Sequence, residues 1–183
     1  MDVRLAFLLS RAEEALPRLQ ALGLGAEVYL DPALLEEDAL FQSLRRRLPG
    51  RVSVHLPFWN LDLLSPDPEV RGLTLRRLLF GLDRAAELGA DRAVFHSGIP
   101  HGRTPEEALE RALPLAEALG LVVRRARTLG VRLLLENSHE PCPEALRPMP
   151  GSLASALTPP TPGSSAGPPT PGPGLPWAPS TCT

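Results

Sequence analysis

His55, His96 and Glu136 each close a short apolar run: Val52-Ser53-Val54, Ala93-Val94-Phe95 and Leu133-Leu134-Leu135. The intervals between them, 41 and 40 residues, suit one strand–helix unit per residue. In a barrel of parallel strands, the carboxyl ends gather on the face where the site is built. Two imidazoles and a carboxylate meeting there suit Zn²⁺, Mn²⁺ or Fe²⁺ better than an ion that prefers oxygen alone, and they do not choose among the three. Taken singly, a strand-end histidine is more often packed or solvated, and a strand-end glutamate salt-bridged. Their shared position raises all three together. Phe58 and Trp59 follow His55 and are candidates to wall a substrate pocket, at even odds with simple loop packing. His101 and His139 fall in loops on the same face; solvent exposure is the commoner fate of such residues, and His139, close after Glu136, is the better substrate-binding candidate.

The elements that must position these residues are repeated strand–helix units. From Met1 to Arg147 short apolar runs alternate with longer amphipathic stretches, the pattern of a parallel sheet with helical crossovers. The expected strands are Val3 to Leu9, Glu27 to Leu30, Val52 to His55, Arg92 to His96 and Val131 to Glu136. Ser10 with Glu13, and Thr104 with Glu107, have capping-box spacing, and Pro105 suits a first helical position. Gly23, Gly89 and Gly130 each end a helical stretch just before an apolar run, where a left-handed cap favours glycine. Pro17 and Pro114 lie inside helical stretches and are expected to kink them or move their starts. Arg45, Arg46 and Arg47 read as a solvated helix end, favourable near the negative pole of the helix.

The chain has 183 residues, whereas a (β/α)₈ barrel usually takes about 250. The expected fold is therefore α/β: an incomplete TIM (β/α)₈ barrel of five βα units over residues 1–147, followed by a disordered Pro-rich tail over 148–183. That tail has no charged side chain and 11 prolines in 36 positions, too little apolar surface to offset the entropy of ordering it. A net charge of −2 and pI near 6.1 argue against nucleic acid as a partner. With neither a leader-like segment nor an apolar run long enough for a membrane span, the expectation is a cytoplasmic protein with no membrane partner. Cys142 and Cys182 lack metal-ligand spacing and receive no role.

The segments His55-Leu56-Pro57-Phe58-Trp59-Asn60-Leu61, Val94-Phe95-His96-Ser97-Gly98 and Leu134-Leu135-Glu136-Asn137-Ser138 resemble the xylose isomerase-like barrel superfamily. That superfamily includes sugar isomerases, sugar epimerases and AP endonucleases of the endonuclease IV type. The resemblance covers residues 1 to about 147 and implies that His55, His96 and Glu136 contribute to a divalent metal centre. Glu136 would bridge metals or join in proton transfer, which makes it the catalytic candidate. Glu27, ending the second strand, matches a recurrent acidic position. Later strands of the family bring an Asp and a His three residues apart, further histidines and a last glutamate. No Asp or His follows Glu140 here.

The tail offers one account of that loss. Reading each codon from the last base of the one before, the places of Thr158 and Thr161 can become only Asn, His, Asp or Tyr, which includes the Asp and His the family wants. The expectation is a frameshift near residues 148–153, making the tail out of frame. The first functional expectation is a metal-dependent sugar or sugar-phosphate isomerase or epimerase, acting on a small-molecule sugar, of which this chain is a truncated and inactive form. The alternatives are an AP endonuclease hydrolysing a phosphodiester and a non-catalytic fragment, which would self-associate through unpaired barrel edges.

Overall fold

The computed structural model describes residues 3–99, 103–136, 141 and 146, and the backbone of 154–155. The elements follow one another as β1 (Arg4–Leu8), α1 (Ala12–Leu22), β2 (Gly25–Tyr29), α2 (Asp38–Arg47), β3 (Val52–His55), α3 (Pro68–Glu87), β4 (Arg92–His96), α4 (Pro105–Ala118), α5 (Gly120–Leu129), β5 (Arg132–Glu136) and β6 (Ala154–Ser155). The strands form one sheet in the order β1-β2-β3-β4-β5-β6, with every neighbouring pair parallel. Sequential parallel order with helical crossovers is the arrangement of a TIM barrel, and the five main strands lie within a residue or two of their expected positions. The two-residue β6 extends the sheet into the stretch expected to be tail, pairing Leu134 with Ala154 and Leu135 with Ser155. Among the described residues no helix is long and apolar enough to cross a membrane.

Alternation along the strands separates two faces. Val28, Val54, Ala93, Phe95, Leu133 and Leu135 turn toward the helices and join the hydrophobic core, where their burial drives the helix layer onto the sheet. The opposite face carries the registered rows Glu27–Ser53–Arg92–Arg132 and, nearer the carboxyl ends, Tyr29–His55–Val94–Leu134 and His96–Glu136. At the amino ends Arg4 forks onto Asp91 at 2.9 and 3.1 Å, and Arg92 reaches the same carboxylate at 2.9 Å. Burial opposes the charge on Asp91, but the hydrogen bonds from Arg4 and Arg92 outweigh it and hold the carboxyl well below its usual range.

Helix ends follow the sequence in most places. Thr104 and Glu107 form the expected reciprocal capping box with Pro105 in the first turn, and Gly23, Gly89 and Gly130 all adopt positive φ. The box expected of Ser10 and Glu13 does not form. A 3₁₀ turn over Leu9–Arg11 precedes α1, whose N-cap Arg11 makes no side-chain cap bond, and Glu13 is instead held by Arg47. The Arg45–Arg47 run is correspondingly more than a solvated helix end, because Arg45 also donates to the Glu87 carbonyl. Pro17 and Pro114 sit within α1 and α4, and the crossover after β4 is two helices separated at Leu119.

A buried guanidinium joins α2 to α3. Arg84 donates Nε–H to the Leu35 carbonyl at 2.7 Å, bonds Glu87 at 2.5 Å and also reaches Asp38. It lies over the rings of Phe41 and Phe80, 4.5 and 4.9 Å from their centroids. These contacts tie α2 to α3.

Candidate metal centre

All four residues of β3 are buried, so the polar group that ends it has no water to serve it. His55 is 1% exposed. Its Nδ1 lies 2.9 Å from the Leu56 carbonyl; a carbonyl only accepts, so Nδ1 carries the proton and Nε2 faces the interior. There Nε2 lies 3.2 Å from Glu136 Oε2, and His96 Nε2 lies 3.3 Å from the same oxygen. The three donor atoms fall within 4.8 Å of one another. The register explains the meeting: His96 is paired with Glu136 across β4 and β5, and His55 with Val94, two residues and one pleat from His96.

The surroundings hold both rings. Tyr29, opposite His55 in the β2–β3 register, stacks on it with centroids 4.5 Å apart and planes 8° from parallel. Phe58 meets His55 edge-on at 4.9 Å and stacks on His96 at 4.6 Å. The loop bearing Phe58 turns at Asn60, whose φ of 56° is left-handed. It is then anchored at Asp62, which accepts from Arg111 and the Leu64 amide and donates its own N–H to Thr74. After β4 the chain turns through Gly98 at φ 79°, and the Ile99 amide donates to Ser97 Oγ at 3.0 Å. Burial, then the carboxylates of Glu27 and Glu136, push the Tyr29 phenol up, so it stays protonated at neutral pH.

This donor set fits a divalent cation. A carboxylate only accepts, so an oxygen placed between two ring nitrogens requires either protons on those nitrogens or a cation among the three groups. Two neutral imidazoles and one carboxylate are a common set for zinc and its neighbours, and the Leu56 carbonyl on His55 Nδ1 is the outer contact that orients a ligating ring.

The three sequence candidates for the metal therefore converge. Phe58 packs on both histidines, whereas Trp59 touches Phe58 at 4.9 Å and is 69% exposed. Glu27 lies in the middle of β2, away from the strand end, and accepts from Ser53 at 3.2 Å. His101 and His139 lie outside the described residues, as do Cys142, Cys182 and all of the 148–183 segment except the β6 backbone. Tyr29 went unremarked in the sequence; the signal that could have found it is its place as the last residue of β2, in register with His55.

The family model described as xylose isomerase-like TIM barrel matches residues 19–149. The chain belongs to that family. Among solved structures it is similar to the TTHB071 protein from Thermus thermophilus soaked with ZnCl₂, with 90% identity and a TM-score of 0.83 over 85% of this chain and 65% of that one. A D-tagatose 3-epimerase-like protein is 22% identical with a TM-score of 0.60, covering 75% of this chain and 53% of that one. The D-psicose 3-epimerase of Clostridium cellulolyticum, crystallised with D-tagatose, is 18% identical with a TM-score of 0.58, covering 74% and 52%. The latter two likenesses establish the fold. The family chain thus spans just under two thirds of the Thermus protein and about half of each epimerase. No curated protein sequence gives a significant match.

Proposed function

We propose that residues 1–147 are the metal-binding part of a sugar or sugar-phosphate isomerase or epimerase. The observation that carries this reading is the convergence of His55, His96 and Glu136 at the carboxyl ends of three successive strands. The zinc soak of the 90% identical protein and the epimerase neighbours support it. His55 and His96 would hold a divalent ion through Nε2, and Glu136 would supply the anionic ligand. When bound, such an ion polarises a carbonyl and its adjacent hydroxyl. Glu136, 45% exposed at its side chain, can take or return a proton at the neighbouring carbon. Phe58 and Trp59 offer an apolar wall to a sugar ring. No Asp or His follows Glu140 within these 183 residues, and the ligands proposed within them are His55, His96 and Glu136 alone.

A second reading, metal-dependent cleavage of a phosphodiester at an abasic site, has one observation in its favour: the exposed Trp59 beside the centre could stack on a base. The net charge of −2 does not favour it.

The metal reading is tested by Zn²⁺ binding in competition with a chromophoric chelator. Glu136→Gln keeps the size of the side chain and removes its charge, and should weaken binding by more than about 100-fold, beyond the loss typical of an outer-shell contact. Equal affinity in the two proteins rejects the centre. The sugar reading is tested on a zinc-loaded chimera in which the Thermus protein supplies the remaining strands. Exchange of a ketose α-proton with solvent deuterium is expected; no exchange, with cleavage of an abasic duplex, would transfer the function to the second reading.

A further inference from the structure

We infer that Tyr29 is a positioning residue for His55: its phenol ring, stacked on the imidazole, fixes the ring plane that turns Nε2 toward Glu136 and His96. The inference rests on the metal reading above for its purpose, and on geometry for its content.

An imidazole at the end of a strand keeps one soft rotation, about χ2, once its χ1 is set. Three contacts restrict that rotation here. The Leu56 carbonyl takes the Nδ1 proton at 2.9 Å and selects which edge of the ring faces inward. That bond alone permits tilt about its axis. Phe58 touches the ring edge-on, at 64°, and blocks one direction of movement. Tyr29 covers a face at 4.5 Å and 8°, so tilting His55 would drive one side of the imidazole into the phenol ring and open a gap at the other. Of the two aromatic contacts, the near-parallel one defines the plane.

The backbone makes this stack a property of the fold. Tyr29 and His55 are registered partners on β2 and β3, and the Leu30 amide donates to the His55 carbonyl at 3.0 Å, so the strands bearing the two rings cannot slide apart. An imidazole whose Nε2 engages a cation becomes electron-poor, and the electron-rich face of a phenol then attracts it more strongly. The stack therefore favours the ligand-bearing form of His55 over the free one. The hydroxyl takes no part in this argument, which separates Tyr29→Phe from Tyr29→Leu.

Two readouts test it. In the metal-free protein, NOEs from the His55 ring protons to the Phe58 ring should report one ring orientation in wild type and in Tyr29→Phe, and averaged orientations in Tyr29→Leu. In Zn²⁺ competition, Tyr29→Phe should stay within about twofold of wild type while Tyr29→Leu weakens binding about tenfold, the lower end of outer-contact losses. The Co²⁺-substituted proteins should divide in the same way in their visible absorption. An unchanged His55 ring orientation in Tyr29→Leu overturns the inference, as does Tyr29→Phe losing as much as Tyr29→Leu. If wild type and His55→Ala bind Zn²⁺ equally weakly while the orientation result holds, the metal reading fails and the positioning of His55 by Tyr29 stands.

Discussion

Replacing Arg84 with Met separates the guanidinium of the α2–α3 clamp from its aliphatic stem. The side chain is 7% exposed, and Met retains most of its volume, so little of the loss is a cavity. The buried Leu35 carbonyl loses its donor, which costs about 1–3 kcal/mol. Asp38 and Glu87 are 75% and 30% exposed at their side chains, so both are rehydrated when left alone, and each pair contributes at most about 1 kcal/mol. The stacking over Phe41 and Phe80 is worth about 0.5–2 kcal/mol in total, partly recovered by sulfur–ring contact. Together these give an expected destabilisation of about 3 kcal/mol, or a fall in Tm of about 6–12 °C for a chain of this size. Urea unfolding followed by circular dichroism should show a lower midpoint with an unchanged slope. A loss below about 1 kcal/mol would refute the reasoning, because it would mean that the Leu35 carbonyl finds water without Arg84.

Two further outcomes follow from the packing and the charges. Asp91 is held below its usual range in the folded chain, so its contribution is present above the unfolded carboxyl value near pH 4 and is lost as pH falls through the lower folded value. Asp91→Asn should remove that part of the acid dependence of urea stability between neutral pH and pH 2, and an unchanged profile would exclude Asp91 as its source. At Gly81, an added Cβ would lie 3.1 Å from both Leu56 Cδ2 and Pro57 Cδ. Gly81→Val should therefore cost about 1–3 kcal/mol through overpacking, with Gly81→Ala costing less, and calorimetry that finds the two variants equal would contradict this.

The convergence of the candidate site was legible because its three residues interrupt apolar runs at strand ends, where a polar side chain needs a reason. His55 announces itself after Val52-Ser53-Val54, and Glu136 after Leu133-Leu134-Leu135. Tyr29 did not, because an aromatic within an apolar run looks like core, and only the β2–β3 register reveals that it faces His55. Glu27 was conspicuous by its charge, yet it lies one pleat short of the rim. The Ser10–Glu13 spacing failed because a local rule lost to a tertiary partner: Arg47, 34 residues away, takes the carboxylate that the cap needed. At Thr104 the box survives although Arg103 reaches Glu107, because that pair uses Oε1 and leaves Oε2 to the Thr104 amide, whereas Arg47 engages both oxygens of Glu13. β6 escaped notice because two residues carry no periodicity, and its pairing is supplied by the neighbouring strand.

The sequential strand order gives assembly of the centre a direction in time. Each strand pairs with the one made just before it, so a chain leaving the ribosome can dock its units in the order in which they are synthesised. Tyr29 is in place when His55 arrives, and the first imidazole is oriented before the second exists. His96 joins next, and Glu136, on β5, is the last of the three to be made. Under the proposed metal reading, the nascent chain presents two ring nitrogens before it supplies the negative charge, and tight capture of a cation would wait for the fifth strand.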